Sequence, residues 1–174
     1  MVTFRQISVQ SIVRRRGTHA LQYQKIIIDI STQTDTLFRP ATNADLFSLQ
    51  SLGVPKSIVD FYALHEPSKC AEGQIRLWPI KEILQENRDL VPGAYISPFG
   101  YVVFATTFCG DTYCFDLNKI DEQTEPGIVL ISHEVVSDDI DAQEAARLAK
   151  PVENNLFEFL ERFTRDAIDE VCIY

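Results

Sequence analysis

Several things are missing from this 174-residue chain, and each absence removes a class of function. No Cys-x-x-Cys pair, no glycine-rich phosphate loop and no nucleophile-elbow motif occurs in it. The zinc, nucleotide and serine-hydrolase chemistries that depend on those spacings therefore have no foothold. His19, His65 and His133 are scattered singles. His133-Glu134 begins like a zinc-protease helix, but position 137 is serine, so no metal is expected there. Asp138, Asp139, Asp141 and Glu144 resemble a calcium loop only in charge, because no glycine follows at the turn position. The expectation is a protein without catalytic residues, metal or cofactor.

Glycine (7) and proline (8) are too sparse for a linker or low-complexity segment. No apolar run approaches the roughly 20 residues that cross a bilayer. The beginning, MVTFRQISVQ, lacks a basic region followed by an apolar one, so no secretion signal is expected. The default location is then the reducing cytoplasm, with Cys70, Cys109, Cys114 and Cys172 as free, small, apolar thiols.

Base is the other thing in short supply, and only locally. Between residues 111 and 144 stand Asp111, Asp116, Asp121, Glu122, Glu125, Glu134, Asp138, Asp139, Asp141 and Glu144, with Lys119 the one base among them. Outside that window acids and bases balance, so the net charge of −9 belongs to one stretch. Before Asp29 the sign reverses, with Arg5, Arg14, Arg15, Arg16 and Lys25 and no acid. A chain polarised in this way steers a charged partner. The arginine run lacks interleaved aromatics, so direct nucleic-acid binding is not expected.

What is present reads as one domain over 1–174, with a core at about 44–165 and an N-terminal extension of strands over 1–40. Lys25–Ile30 is β-branched and reads as a strand, paired around a Gly17-Thr18 turn. Residues 43–65 read as two helices: Asn43 caps the first, Leu46, Phe47 and Leu49 point inward, and Gly53 ends it. Pro55 opens the second, and Ile58, Phe61, Tyr62 and His65 share its inner face. A strand is expected at Gln74–Trp78, a helix at Ile80–Glu86, and a short strand at Tyr95–Ser97. Tyr101–Leu117 reads as a hairpin closed by Gly110-Asp111, pairing Phe108 with Tyr113 and apolar on both faces, hence central in its sheet. Gly127–Ser132 is a strand, Asp138–Lys150 a helix, and Asn155–Ala167 a final helix striped by Leu156, Phe157, Leu160 and Phe163.

The order of these pieces resembles the SUKH superfamily. The resemblance runs from Leu52-Gly53-Val54-Pro55 through KSIVDFYALHEP, IRLWPIKEI (Ile75–Ile83) and FCGDTYCFD (Phe108–Asp116) to GIVLIS and LFEFLERF (Leu156–Phe163). Members often carry Asn-Gly where this chain has His65-Glu66-Pro67. The resemblance implies an α+β fold, an antiparallel sheet with a central aromatic hairpin and helices packed on it. It makes Pro55, Trp78, Gly110, Asp111 and Asp116 markers of the fold. It also implies a non-enzymatic protein whose partner is another protein, with no membrane involved. Bacterial members look like immunity proteins that bind and neutralise a toxin delivered by a neighbouring cell. Such toxins are often nucleases, and dense carboxylates mimic a nuclease's substrate. The residues expected to meet the partner are Asp121, Glu122, Glu125, Glu134, Asp138, Asp139, Asp141 and Glu144. Fungal members imply the alternative, a cell-wall-assembly or glucan-synthesis regulator that scaffolds a host partner.

Overall fold

The computed structural model describes residues 23–120 and 125–165. Residues 23–34 are helical (α1), which overturns the strand expected at Lys25–Ile30. Ile26, Ile27 and Ile30 are buried while Ile28 is 58% exposed, the one-sided spacing of a helix. Packing overrides β-propensity here: the Tyr23 ring lies 5.0 Å from Phe61 and 5.5 Å from Phe157. The Gly17-Thr18 turn lies outside the described residues.

β1 (Phe38–Arg39) leads to α2 (Asn43–Gln50), whose cap is Thr42 rather than Asn43; the Thr42 hydroxyl oxygen accepts the Asp45 N–H. Leu49 is buried and Leu46 partly so, but Phe47 is 77% exposed, against expectation. Gly53, at φ +82°, reverses the chain as glycine alone does cheaply. Pro55 precedes α3 (Lys56–His65), which buries Ile58, Phe61 and Tyr62. β2 (Glu66–Pro67) pairs with β1 as a separate two-stranded sheet.

The main sheet has six antiparallel strands in chain order. They are β3 (Ala71–Glu72), β4 (Arg76–Leu77), β5 (Tyr101–Thr106), β6 (Thr112–Ile120), β7 (Pro126–Ile131) and β8 (Lys150–Glu153). Between β4 and β5 come α4 (Ile80–Asp89), α5 (Gly93–Ile96) and a 3₁₀ turn (Ser97–Phe99). The strand expected at Tyr95–Ser97 is therefore helical. α6 (Ala142–Leu148) is shorter than the helix expected from Asp138, and Lys150 already belongs to β8. β8 carries Pro151, tolerable because this strand is an edge. α7 (Leu156–Thr164) closes the described chain, with Leu156, Phe159, Leu160 and Phe163 buried.

β5 is buried along its whole length, as a central strand should be. On one face Phe104 stacks on Phe115 at 4.2 Å, and Phe159 of α7 meets Phe104 edge-on at 5.2 Å. On the other, Tyr101, Val103, Cys114, Val129 and Ile131 pack with Ile96, Val136 and Ala145. The register differs from the expected two-residue turn. Thr106 faces Thr112, so residues 107–111 form the connection and Phe108 leaves the strand, 45% exposed. The Arg76 guanidinium sits 5.0 Å over its ring. A bulge between Val103 and Ala105 restores the alternation, so Phe104 still shares a face with Tyr113 and Phe115.

β4 ends where Trp78 donates its N–H to Phe104 O. Beyond that point Asn87, buried in α4, pairs with Val103 as a strand residue would. Its Oδ1 accepts the Val103 N–H at 2.8 Å and its Nδ2 donates to Val103 O at 2.7 Å. Cys70 and Cys114 are free thiols, but Cys109 is disulfide-bonded, which corrects the expectation of four free cysteines. No described helix is long and apolar enough to cross a membrane.

Candidate functional site: an exposed acidic segment and a polar cleft

The acidic window divides by burial. Asp111 and Asp116 are interior, 2% and 1% exposed. Asp111 Oδ1 accepts the His133 N–H at 3.2 Å and lies 3.1 Å from His133 Nδ1. Asp111 also closes the 107–111 connection: its N–H donates to Thr107 Oγ1, and the Thr107 N–H donates to Asp111 O. Gly110, at φ +98°, passes under the His133 ring, which would lie 3.2 Å from an added Cβ. Asp116 accepts the Asn118 N–H at 3.0 Å and stands within β6 opposite Gly127. These two carboxylates are held by backbone N–H groups. Pro55 is the residue before α3, and partly buried Trp78 touches both core clusters.

Of the residues expected to meet a partner, Asp121 and Glu122 lie outside the described residues. Glu125 is half-buried and close enough to Tyr23 to raise its phenol pKa, though burial raises it more. Glu134, Asp138, Asp139 and Asp141 are exposed. They stand on the segment that carries β7 through a 3₁₀ turn (His133–Val135) into α6. Asp139 accepts the Ser137 hydroxyl. Asp141 caps α6, accepting the Glu144 N–H at 2.8 Å. Glu144 is gripped by Arg147 at 2.8 and 2.5 Å, and that fork holds its carboxyl below the usual range. Four adjacent carboxylates thus stay at the surface, while the fifth is neutralised by its own helix.

A second feature was not legible in the sequence. A cleft of about 520 Å³ opens between the β1–β2 sheet and the first turns of α2 and α4. Arg39, Thr42, Asp45, Glu66, Ser68, Lys69, Lys81 and Glu82 contribute to its wall. Pro79 offers α4 no side-chain cap, so Glu66, 7% exposed, takes the Ile80 N–H instead. Burial raises the Glu66 carboxyl and this hydrogen bond opposes the rise. The signal lay in the chain as a glutamate before a proline-opened helix, but only the fold puts the two together. Among the described residues no group of three or more His, Cys, Asp or Glu is arranged to hold a metal ion.

A search of curated proteins gives no match to this chain. The profile of the SMI1 / KNR4 family (SUKH-1) matches residues 40–162. That span begins at Pro40, just after β1, and runs through the six-stranded sheet into α7, so it contains the acidic segment and most of the cleft wall. The chain belongs to the SMI1 / KNR4 family (SUKH-1).

Proposed function

We propose that this protein is an immunity protein: it binds a protein toxin inside the cell that makes it and blocks the toxin without performing a reaction. The observation that carries the reading is the run of Glu134, Asp138, Asp139 and Asp141, exposed together with no base between them. A nuclease must present positive surface to hold its substrate, and fixed carboxylates compete for that surface. The non-enzymatic part is supported by where the buried polar groups are spent. Asp111, Asp116, Glu66, Glu86 and Asn87 each accept a backbone N–H, which is structural work.

The rival within the same family is a scaffold of the cell-wall-assembly or glucan-synthesis regulator type. Mixing the purified chain with the polypeptide encoded immediately upstream separates them. A complex that blocks a toxic activity and weakens with salt supports immunity. No complex at low salt, or a complex with a host assembly factor alone, refutes it. The compartment is tested separately, by cell fractionation, because a disulfide at Cys109 is unusual in a reducing cytosol.

A further inference from the structure

We propose that the cleft between the β1–β2 sheet and the first turns of α2 and α4 is a second recognition site, which takes a carboxylate-bearing peptide segment of a protein partner. Its three bases, Arg39, Lys69 and Lys81, come from three different elements and are exposed at one cleft. None of them makes an ion pair or hydrogen bond with a described residue. The facing acids are largely committed. Asp45 receives the Thr42 hydroxyl at 2.6 Å, and Glu66 receives the Ile80 N–H. Glu82 is the one cleft acid with neither kind of bond, and burial followed by Glu72 raises its carboxyl while Lys81 opposes.

This pattern selects among anions. Inorganic phosphate concentrates its charge on one centre, a nucleic-acid backbone has no N–H donor to offer, and both would meet three carboxylates in the same wall. A peptide spreads single charges apart and alternates them with N–H donors. Its side-chain carboxylate would meet the bases, and a backbone N–H would meet Glu82, with the Ser68 and Thr42 hydroxyls as further partners. A volume of about 520 Å³ holds a stretch of chain rather than a lone ion.

The cleft is also separate from the acidic segment. β4 begins opposite Thr106 and runs toward the other end of β5, and the cleft lies past its far end at Pro79. β7 reaches Ile131 opposite Thr112, itself opposite Thr106, and the acidic segment follows. The two features therefore occupy opposite ends of the sheet's strands, and the cleft proposal does not rest on the immunity reading.

The test is a titration of the full ¹⁵N-labelled chain with hexaglutamate and, in parallel, with inorganic phosphate. Hexaglutamate should move the backbone amides of Arg39, Ser68, Lys69 and Lys81. The Lys69→Glu/Lys81→Glu variant should lose at least about tenfold in affinity, since reversing charge at a contact costs several kcal/mol. Lys69→Gln/Lys81→Gln should lose part of it, and both should melt as the parent does, because both side chains are exposed. Lys150→Glu, a charge reversal remote from the cleft, should bind normally. Shifts elsewhere, no shifts at millimolar peptide, phosphate binding as tight as the peptide's, or undiminished binding by the lysine variants would each overturn the proposal.

Discussion

Replacing Asn87 with alanine should unfold this protein far more readily than its single polar side chain suggests. The amide does the work of an absent strand: β4 has ended, and Val103, fully buried, relies on Asn87 for both its N–H and its C=O. Truncation leaves two backbone groups without that partner in a sealed interior, each at about 1–3 kcal/mol. A loss of roughly 2–6 kcal/mol follows, a large share of the roughly 5–15 kcal/mol typical of a domain. Asn87→Asp should be no rescue, because it keeps an acceptor, loses the donor and adds a charge where only 5% of the residue meets solvent. Urea unfolding followed by the fluorescence of Trp78 gives the number, and hydrogen exchange at Val103 locates it. A loss below about 0.5 kcal/mol, within the range of an ordinary surface change, would refute the reasoning.

Two further outcomes follow from buried titratable groups. Burial holds the Glu86 carboxyl above its ordinary value of 4.5 while the Gly93 N–H opposes the shift. The folded state then binds the proton more tightly than the unfolded one, so this group's contribution to stability falls as pH rises above 4.5 through the folded value. Glu86→Gln cannot ionise and keeps an oxygen for Gly93, so its stability relative to the parent should improve with rising pH across that window and then level off. A difference independent of pH would contradict this. Burial, then Glu82 and Glu72, push the half-buried Cys70 thiol up to about 12. Alkylation at pH 8, mapped by mass spectrometry, should therefore be far slower at Cys70 than for an ordinary thiol of pKa about 8.5. Labelling at the ordinary rate would show that the thiol is not held in that environment.

Long periodic segments were the readable ones. α3, α4 and α7 announce themselves through apolar residues at helical spacing, and β5 and β7 through short apolar runs bounded by turns. α1 was misread because Ile26, Ile27 and Ile30 favour strand locally, and only the aromatic contacts of Tyr23 decide otherwise. The register of β5 on β6 departs from the expected one by three residues next to the turn and by four beyond the bulge. Gly110-Asp111 looks like a complete turn until His133, from a later strand end, claims the Asp111 carboxylate. β1, β2, β3 and β8 are two to four residues long, too short for any period to emerge. For the functional surface, the sign of the charge is legible in the chain but its exposure is not. Charge alone does not separate interior Asp111 and Asp116 from exposed Asp138 and Asp139, which only the family resemblance set apart, and nothing in the chain foretells that Arg147 grips Glu144. The cleft was out of reach, because its bases come from separate elements.

The acidic segment's role is tested most directly by the association rate with the upstream-encoded partner, measured by stopped flow over a range of salt. The variant to compare is Glu134→Lys/Asp138→Lys/Asp139→Lys, which spares Asp141 because that residue caps α6. If the segment steers the encounter, the parent's on-rate falls steeply with salt, and the variant's is lower by about tenfold or more with a flattened salt dependence and a smaller change in off-rate. Equal on-rates at every salt concentration would contradict the account.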